Sequence, residues 1–122
     1  EAGKIVLCDR FLDSSIVYQG FGRELGEDFI RQINAPARKA CPDLTLLYEI
    51  DEREALGRAT REGRPDRIEA EQDAYFARVR RAYEALAAAQ PQRVRALDAA
   101  GSIEDVFSRT RRAVADFLTT KE

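Results

Sequence analysis

Apolar positions in this chain gather in three short runs separated by stretches of helical spacing. The runs Lys4 to Cys8, Leu44 to Ile50 and Val94 to Leu97 read as buried strands. After the first run, a short helix is expected to stop at the turn Gly20-Phe21-Gly22. A second helix, from about Glu27 to Lys39, would carry the apolar stripe Phe29, Ile30, Ile33 and Ala37, and Pro42 marks the return to the sheet. Glu52 to Arg61 again has helical spacing, interrupted at Gly63-Arg64-Pro65 by a permissive glycine and a residue pushed out of the helical region by proline. A long helix resumes, capped by Asp66 with Glu69 three residues on, with the stripe Ile68, Tyr75, Phe76, Val79, Ala82, Tyr83 and Leu86. The last helix begins at Ser102 with Asp105 in the capping-box place, and is expected to bury Ile103, Val106, Phe107, Val114, Phe117 and Leu118. Alternation of this kind predicts an α/β domain with a parallel sheet. There is no repeat, low-complexity tract or linker.

Each apolar run is followed closely by an acid: Asp9, Asp51 and Asp98. In open parallel sheets, ligands bind at the C-terminal edge of the strands. Arg10 there offers a planar fork of donors suited to a phosphate, and Asp9 offers a carboxylate to face a metal or hold the arginine. Ser15, Tyr18 and Gln19 follow at i, i+3 and i+4, so a helix puts all three on one face. A phosphate grip beside a patch able to hydrogen-bond a base has the chemistry of a nucleoside monophosphate site. The plainer reading is a surface pair flanking a helix start, with Asp13 or Ser14 as its N-cap and Tyr18 a half-buried ring beside an exposed neighbour. Asp51 and Asp98 could face a metal or simply cap a helix.

Arg58, Arg61, Arg64 and Arg67 recur every third residue and straddle the Gly63 to Pro65 break. Around a flexible break they could close over a polyphosphate as a lid that supplies cations. Taken alone, the run reads as a solvated face neutralised by Glu54, Glu62, Asp66 and Glu69.

Composition narrows the field. A chain of 122 residues is at most one ordinary domain, and its net charge of -2 argues against a general nucleic-acid binder. No apolar run approaches the ~18 residues of a membrane span and no signal peptide is read; the two cysteines read plainly as reduced thiols in a cytoplasmic protein. With no His and only two cysteines, Cys8 and Cys41, neither a zinc site nor an imidazole base is expected. There is no Met, and no G-x-x-x-x-G-K-[ST] phosphate loop, which points to a piece of a longer protein.

Four landmarks in order give a resemblance over essentially the whole chain. Asp9 to Gly20 followed by Arg23-Glu24-Leu25-Gly26, then Pro42-Asp43-Leu44-Thr45, then Asp66-Arg67-Ile68-Glu69 after the Arg-rich segment, then Asp98 with Ser102-Ile103-Glu104, resemble bacterial thymidylate kinases. The resemblance implies an incomplete P-loop-kinase-like parallel sheet flanked by helices, with three of the expected five strands. Residues 1–122 would be the C-terminal part of a single nucleotide-kinase domain, including a lid near 58–69. It also implies transfer of a phosphoryl group from ATP to dTMP with Mg2+, and a homodimer. Arg10 would grip the dTMP phosphate, Asp9 would sit beside the magnesium, and Ser15 and Gln19 would meet the thymine edge. Tyr18 would crowd the position of a ribonucleotide 2'-hydroxyl. Arg58 would pack near the adenine, Arg61, Arg64 or Arg67 would reach the ATP phosphates, and the loop Asp98 to Ser102 would help to wall the adenine pocket. Phe11 stands where many relatives carry Tyr or His, so a polar role is lost there.

Two other readings stay open on the residues: a different nucleoside or nucleotide kinase of the same fold class, or a non-catalytic module binding nucleotides or a partner. In the family's sheet, a strand bearing the phosphate loop separates the strands corresponding to Lys4–Cys8 and Leu44–Ile50. Without it, backbone donors and acceptors are left unpaired. The 122-residue chain alone is therefore expected neither to fold stably nor to catalyse, and circular dichroism should show no cooperative melt; a cooperative transition would overturn this.

Overall fold

The computed structural model describes residues 3–51, 54 and 69–120. They fall into two compact units, one drawn from residues 1–41 and 71–82, the other from 42–70 and 83–122.

In the first unit, helix α1 (Leu12–Ser15) runs without a break into a π-helical segment, Ile16–Gly22. The wide turn closes with Arg23 N–H donating to the Tyr18 carbonyl at 3.0 Å, five residues back. The helix thus stops where expected, at Gly22, but Gly20 to Gly22 are its last residues and not a separate turn. Gly26, at φ 88°, reverses the chain into α2 (Glu27–Ile33), a conformation that suits glycine. Glu27 and Asp28 occupy the first turn of α2, where acids meet the positive end of the helix dipole, and Glu27 pairs with Arg31.

Helix α2 is shorter than its periodicity suggests. Pro36 has no N–H to donate and its ring crowds the preceding turn, so the chain tightens into a 3-10 helix, Ala35–Ala40. Within the expected stripe only Ile30 is buried, while Phe29 and Ile33 are more than half exposed. The core of this unit is Ile16, Val17 and Ile30 with Val79 and Ala82 from helix α3 (Glu69–Ala89). Tyr75 and Tyr83 of the α3 stripe are half-buried, whereas Phe76 is exposed.

Lys4 to Cys8 forms no strand. Ile5, Val6 and Leu7 are 74, 83 and 91% exposed. A strand requires a ladder partner for its backbone, and no described residue supplies one here.

The second unit holds the sheet. Strands β1 (Thr45–Glu49) and β2 (Val94–Asp98) pair in parallel, with Thr45 opposite Val94 and Glu49 opposite Asp98. Two of the three expected strands are thus present. Thr45 N–H donates to the Arg93 carbonyl at 2.8 Å and Ala99 N–H to the Glu49 carbonyl at 2.7 Å, extending the ladder beyond both ends. The C-terminal end of α3 turns into β2 through Gln90, whose carbonyl accepts from the backbone N–H groups of Arg93 and Val94.

Helix α4 (Ile103–Thr120) packs on β2 through Ala113, its one buried residue among those described. The small side chain permits close approach, and Arg95 of β2 donates to the Ala113 carbonyl at 3.1 Å. Of the six residues expected to be buried, Val106, Val114 and Phe117 are half-buried, whereas Ile103, Phe107 and Leu118 are exposed. Tyr48 on β1 meets Thr110 on α4 at 2.9 Å. Thr110 already donates its hydroxyl proton to the Val106 carbonyl, so Tyr48 is the donor in that pair.

The expected capping box of the last helix is present. Asp105 N–H donates to Ser102 Oγ at 3.1 Å, while Ser102 N–H and Oγ–H donate to the Asp105 carboxylate at 3.1 and 2.8 Å. The Ser102 hydroxyl and backbone N–H, with a smaller contribution from the Arg109 charge, hold the Asp105 carboxyl below its ordinary value. The lid segment 58–69, with Arg58, Arg61, Arg64, Arg67 and the cap Asp66, lies outside the described residues apart from Glu69, which begins α3; of Glu52 to Arg61, only Glu54 is described.

A depressed carboxyl contributes stability that is present above its unfolded value and is lost as pH falls through the folded one. In the whole protein, Asp105→Ala should lower the melting temperature at neutral pH, and the gap should close as acid protonates the carboxylate. Ser102→Ala should cost about 1 kcal/mol. Thermal melts from pH 7 to 3 read both; a gap that does not shrink in acid would contradict the assignment.

Candidate functional site

The residues singled out at the start of the chain lie on one continuous stretch of the first unit. Arg10 takes φ 60°, in the left-handed region, which a non-glycine residue adopts at a cost. That turn precedes α1, whose N-cap residue, Phe11, makes no side-chain capping bond. Asp13 and Ser14 are therefore inside the helix and do not cap it. Asp13 is buried in the first turn, the end of a helix that suits an acidic residue.

The left-handed turn folds Arg10 back so that its guanidinium carbon lies 4.3 Å from the centre of the Tyr18 ring. A cation at that distance is attracted by the face of the ring, which limits where the guanidinium can swing. Asp9 is exposed beside it. Tyr18 in turn leans towards Tyr75 of α3, with ring centroids 6.4 Å apart and planes at 50°.

Ser15 and Gln19 come together as their spacing predicts. Ser15 Oγ donates to Gln19 Oε1 at 2.8 Å. A third residue, which the spacing did not reveal, joins them: Asn34 Nδ2 donates to Ser15 Oγ at 3.1 Å and to the Ile30 carbonyl at 2.8 Å. Asn34 follows the last residue of α2 at φ −90° and ψ 4°, and its backbone N–H also bonds the Ile30 carbonyl, at 3.1 Å. The sequence signal was an asparagine at a helix C-terminus just ahead of a proline, which reads as a stop signal and nothing more.

The C-terminal end of the π-helical segment is clamped by α3. Arg78 donates to the Gly22 carbonyl from Nε at 3.1 Å and from Nη2 at 3.0 Å, a cation at the negative end of a helix. Gly22 sits so close to α3 that a Cβ there would come within 2.7 Å of Tyr75 Cε2 and 3.0 Å of Val79 Cγ2. Glycine is required at this position by proximity. Neither Arg78 nor Tyr75 was legible as a supporting residue, because each acts across more than fifty residues of sequence.

In the second unit, Asp98 closes the sheet's C-terminal edge. Its Oδ1 accepts from Ala100 N–H at 2.8 Å, and Arg109 donates to the carbonyls of Asp98 and Ala100 at 2.8 and 2.6 Å. Asp98 thus shapes a turn and does not cap a helix. A groove of about 770 Å³ runs along β2 and α4, with Asp98, Asp105, Arg109 and Arg112 among its lining. Arg10, Ser15, Tyr18 and Gln19 do not line it.

A family model for thymidylate kinase matches residues 1–110. The chain belongs to the thymidylate kinase family. It is 47% identical over 118 residues to the thymidylate kinase of Pelotomaculum thermopropionicum, covering 95% of this chain and 55% of that protein. To the thymidylate kinase of Symbiobacterium thermophilum it is 44% identical over 119 residues, covering 97% and 55%. To that of Desulfovibrio desulfuricans it is 40% identical over 126 residues, covering 97% and 58%. The chain therefore spans about half the length of the curated relatives it matches. Membership of this family carries a P-loop kinase fold, to which the parallel pair β1–β2 and its flanking helices conform. No helix among the described residues is long and apolar enough to cross a membrane.

Gly22→Ala in the whole protein should cost about 1–3 kcal/mol by driving a methyl group into the Tyr75 ring. Denaturant unfolding measures this. The paired change with Tyr75→Leu should recover part of the loss, whereas strict additivity would show that the contact does not constrain the turn.

Proposed function

We propose that the protein to which this chain belongs transfers the γ-phosphoryl group of ATP to dTMP, giving dTDP and ADP. A phosphate oxygen of dTMP attacks the γ-phosphorus, the bond to the β–γ bridging oxygen breaks, and ADP leaves. Such transfer depends on positioning and charge neutralisation more than on a strong base, so it suits a segment without histidine. The observation that carries this reading is the pairing of two functions on one continuous stretch: a guanidinium restrained over Tyr18, and a Ser15 hydroxyl–Gln19 amide pair beyond it.

Arg10 holds the dTMP phosphate, its fork matched to phosphate oxygens and its swing limited by the ring. Ser15 and Gln19 meet the thymine edge. Tyr18 occupies the space of a ribonucleotide 2'-hydroxyl and so favours the deoxy sugar. In the lid near 58–69, Arg58 lies by the adenine, and Arg61, Arg64 or Arg67 reaches the ATP phosphates, with Arg64 as the arginine that stabilises charge in the transition state. The loop Asp98 to Ser102 helps to wall the adenine pocket. A phosphate loop outside these 122 residues cradles ATP, all 122 residues being the C-terminal part of one domain. The protein acts in the cytoplasm as a homodimer and uses neither nucleic acid nor membrane as partner.

The described residues contain no cluster of three or more His, Cys, Asp or Glu able to cage a metal. A single exposed carboxylate next to a phosphate grip fits Mg2+, which binds through one or two carboxylates together with substrate phosphates. Asp9 is that carboxylate, and the ion when bound supplies charge neutralisation on the ATP phosphates.

Release of ADP from ATP and Mg2+ by the whole protein should require dTMP. Arg10→Ala should lower kcat by about 10²–10³-fold, and Arg10→Lys should recover only part because it lacks the planar fork. A folded whole protein that releases no ADP with dTMP, or an Arg10→Ala variant of undiminished rate, would overturn the reading.

A further inference from the structure

The hydrogen bonds from α2 to Gln19 have a direction, and that direction has a consequence for the ligand. The Ile30 carbonyl can only accept, so the atom of Asn34 facing it at 2.8 Å must be the amide nitrogen. The same NH2 group directs its second hydrogen at Ser15 Oγ, 3.1 Å away. Ser15 Oγ, already accepting from Asn34, gives its only proton to Gln19 Oε1 at 2.8 Å. One lone pair of the Gln19 amide oxygen is thereby engaged inside the protein, which sets which way the amide faces. What the exposed Gln19 side chain offers outward is the donor end, Nε2.

We infer that Asn34 is a positioning residue that, through Ser15, fixes Gln19 as a hydrogen-bond donor and so selects a pyrimidine bearing a carbonyl, not an amino group, at the edge Gln19 meets. The inference rests on the proposed function for the identity of the ligand, and it adds the polarity of the site and the residue that sets it. An amide free to turn over would accept from an amino group as readily as it donates to a carbonyl. Discrimination therefore needs an anchor whose own direction is fixed, and a backbone carbonyl at the end of a helix provides one. Asn34 is partly buried and does not need to touch the nucleotide.

The discriminating pair is dUMP and dCMP, which both lack the thymine methyl group and differ in carbonyl against amino at position 4. Calorimetric binding to the whole protein should give dTMP and dUMP about tenfold or more tighter than dCMP. Asn34→Leu should bring dUMP and dCMP within about threefold of each other and raise KM for dTMP about tenfold, with kcat changed much less. Asn34→Asp, whose carboxylate would take the Ser15 proton, should let Gln19 turn its oxygen outward and shift the ratio further towards dCMP. An unaltered protein that binds dCMP as tightly as dUMP overturns the inference, as does equal weakening of both ligands by Asn34→Leu, the mark of a merely structural role. Should Asn34→Leu fail to fold, Ser15→Ala breaks the same relay in the middle, and an undiminished dUMP preference there is equally fatal. Binding that prefers dUMP without any ADP release would sink the proposed function and leave this inference standing.

Discussion

The first unit depends on how closely the chain passes α3 at Gly22. With no side chain in the way, Tyr75 and Val79 press against the backbone, and Arg78 ties down the carbonyl that the helix end leaves without a partner. This fixes where the wide π-helical turn ends, and hence the angular position of every residue on it. One extra residue per turn is a small change in a helix, yet it rotates the side chains beyond it and is often found where a chain must aim particular groups. Here the turn carries Tyr18 and Gln19, one reaching back to Arg10 and the other to Ser15. The fully buried Val17 and Ile30 hold α2 against the same turn, which brings Asn34 within reach of Ser15.

Much of this was legible in the sequence where the interaction is local. The i, i+4 spacing of Ser15 and Gln19 became a hydrogen bond, the Ser102–Asp105 signature became a capping box, and two of three apolar runs became parallel strands. In each case the partner lies within four residues, or the pattern itself is the property sought. The thymidylate kinase resemblance agreed with the family match because it rested on several ordered landmarks and not on one dipeptide.

The failures have a common physical source. Lys4 to Cys8 has the composition of a strand, but strandedness belongs to a pair of segments and no described neighbour completes the ladder. Phe29, Ile33, Ile103 and Phe107 fall on apolar stripes, but a stripe is buried only where another surface meets it. Pro36 shortened α2 where apolar spacing alone suggested continuation, a case of backbone chemistry overriding periodicity. Asn34 was missed because its partner lies nineteen residues away across a turn whose geometry depends on a glycine and an arginine from α3.

Arg10 carries two demands that no single amino acid meets. Its backbone sits at φ 60°, where glycine would rest without strain and an L side chain gives up about 1–2 kcal/mol. Its side chain is the guanidinium lying over Tyr18, which glycine lacks. A library screened only for heat resistance should accordingly accumulate glycine or asparagine at this position, and, under the proposed role of Arg10, one screened for turnover should discard both. Residue 10 is thus a place where ease of the backbone and the proposed phosphate grip pull in opposite directions.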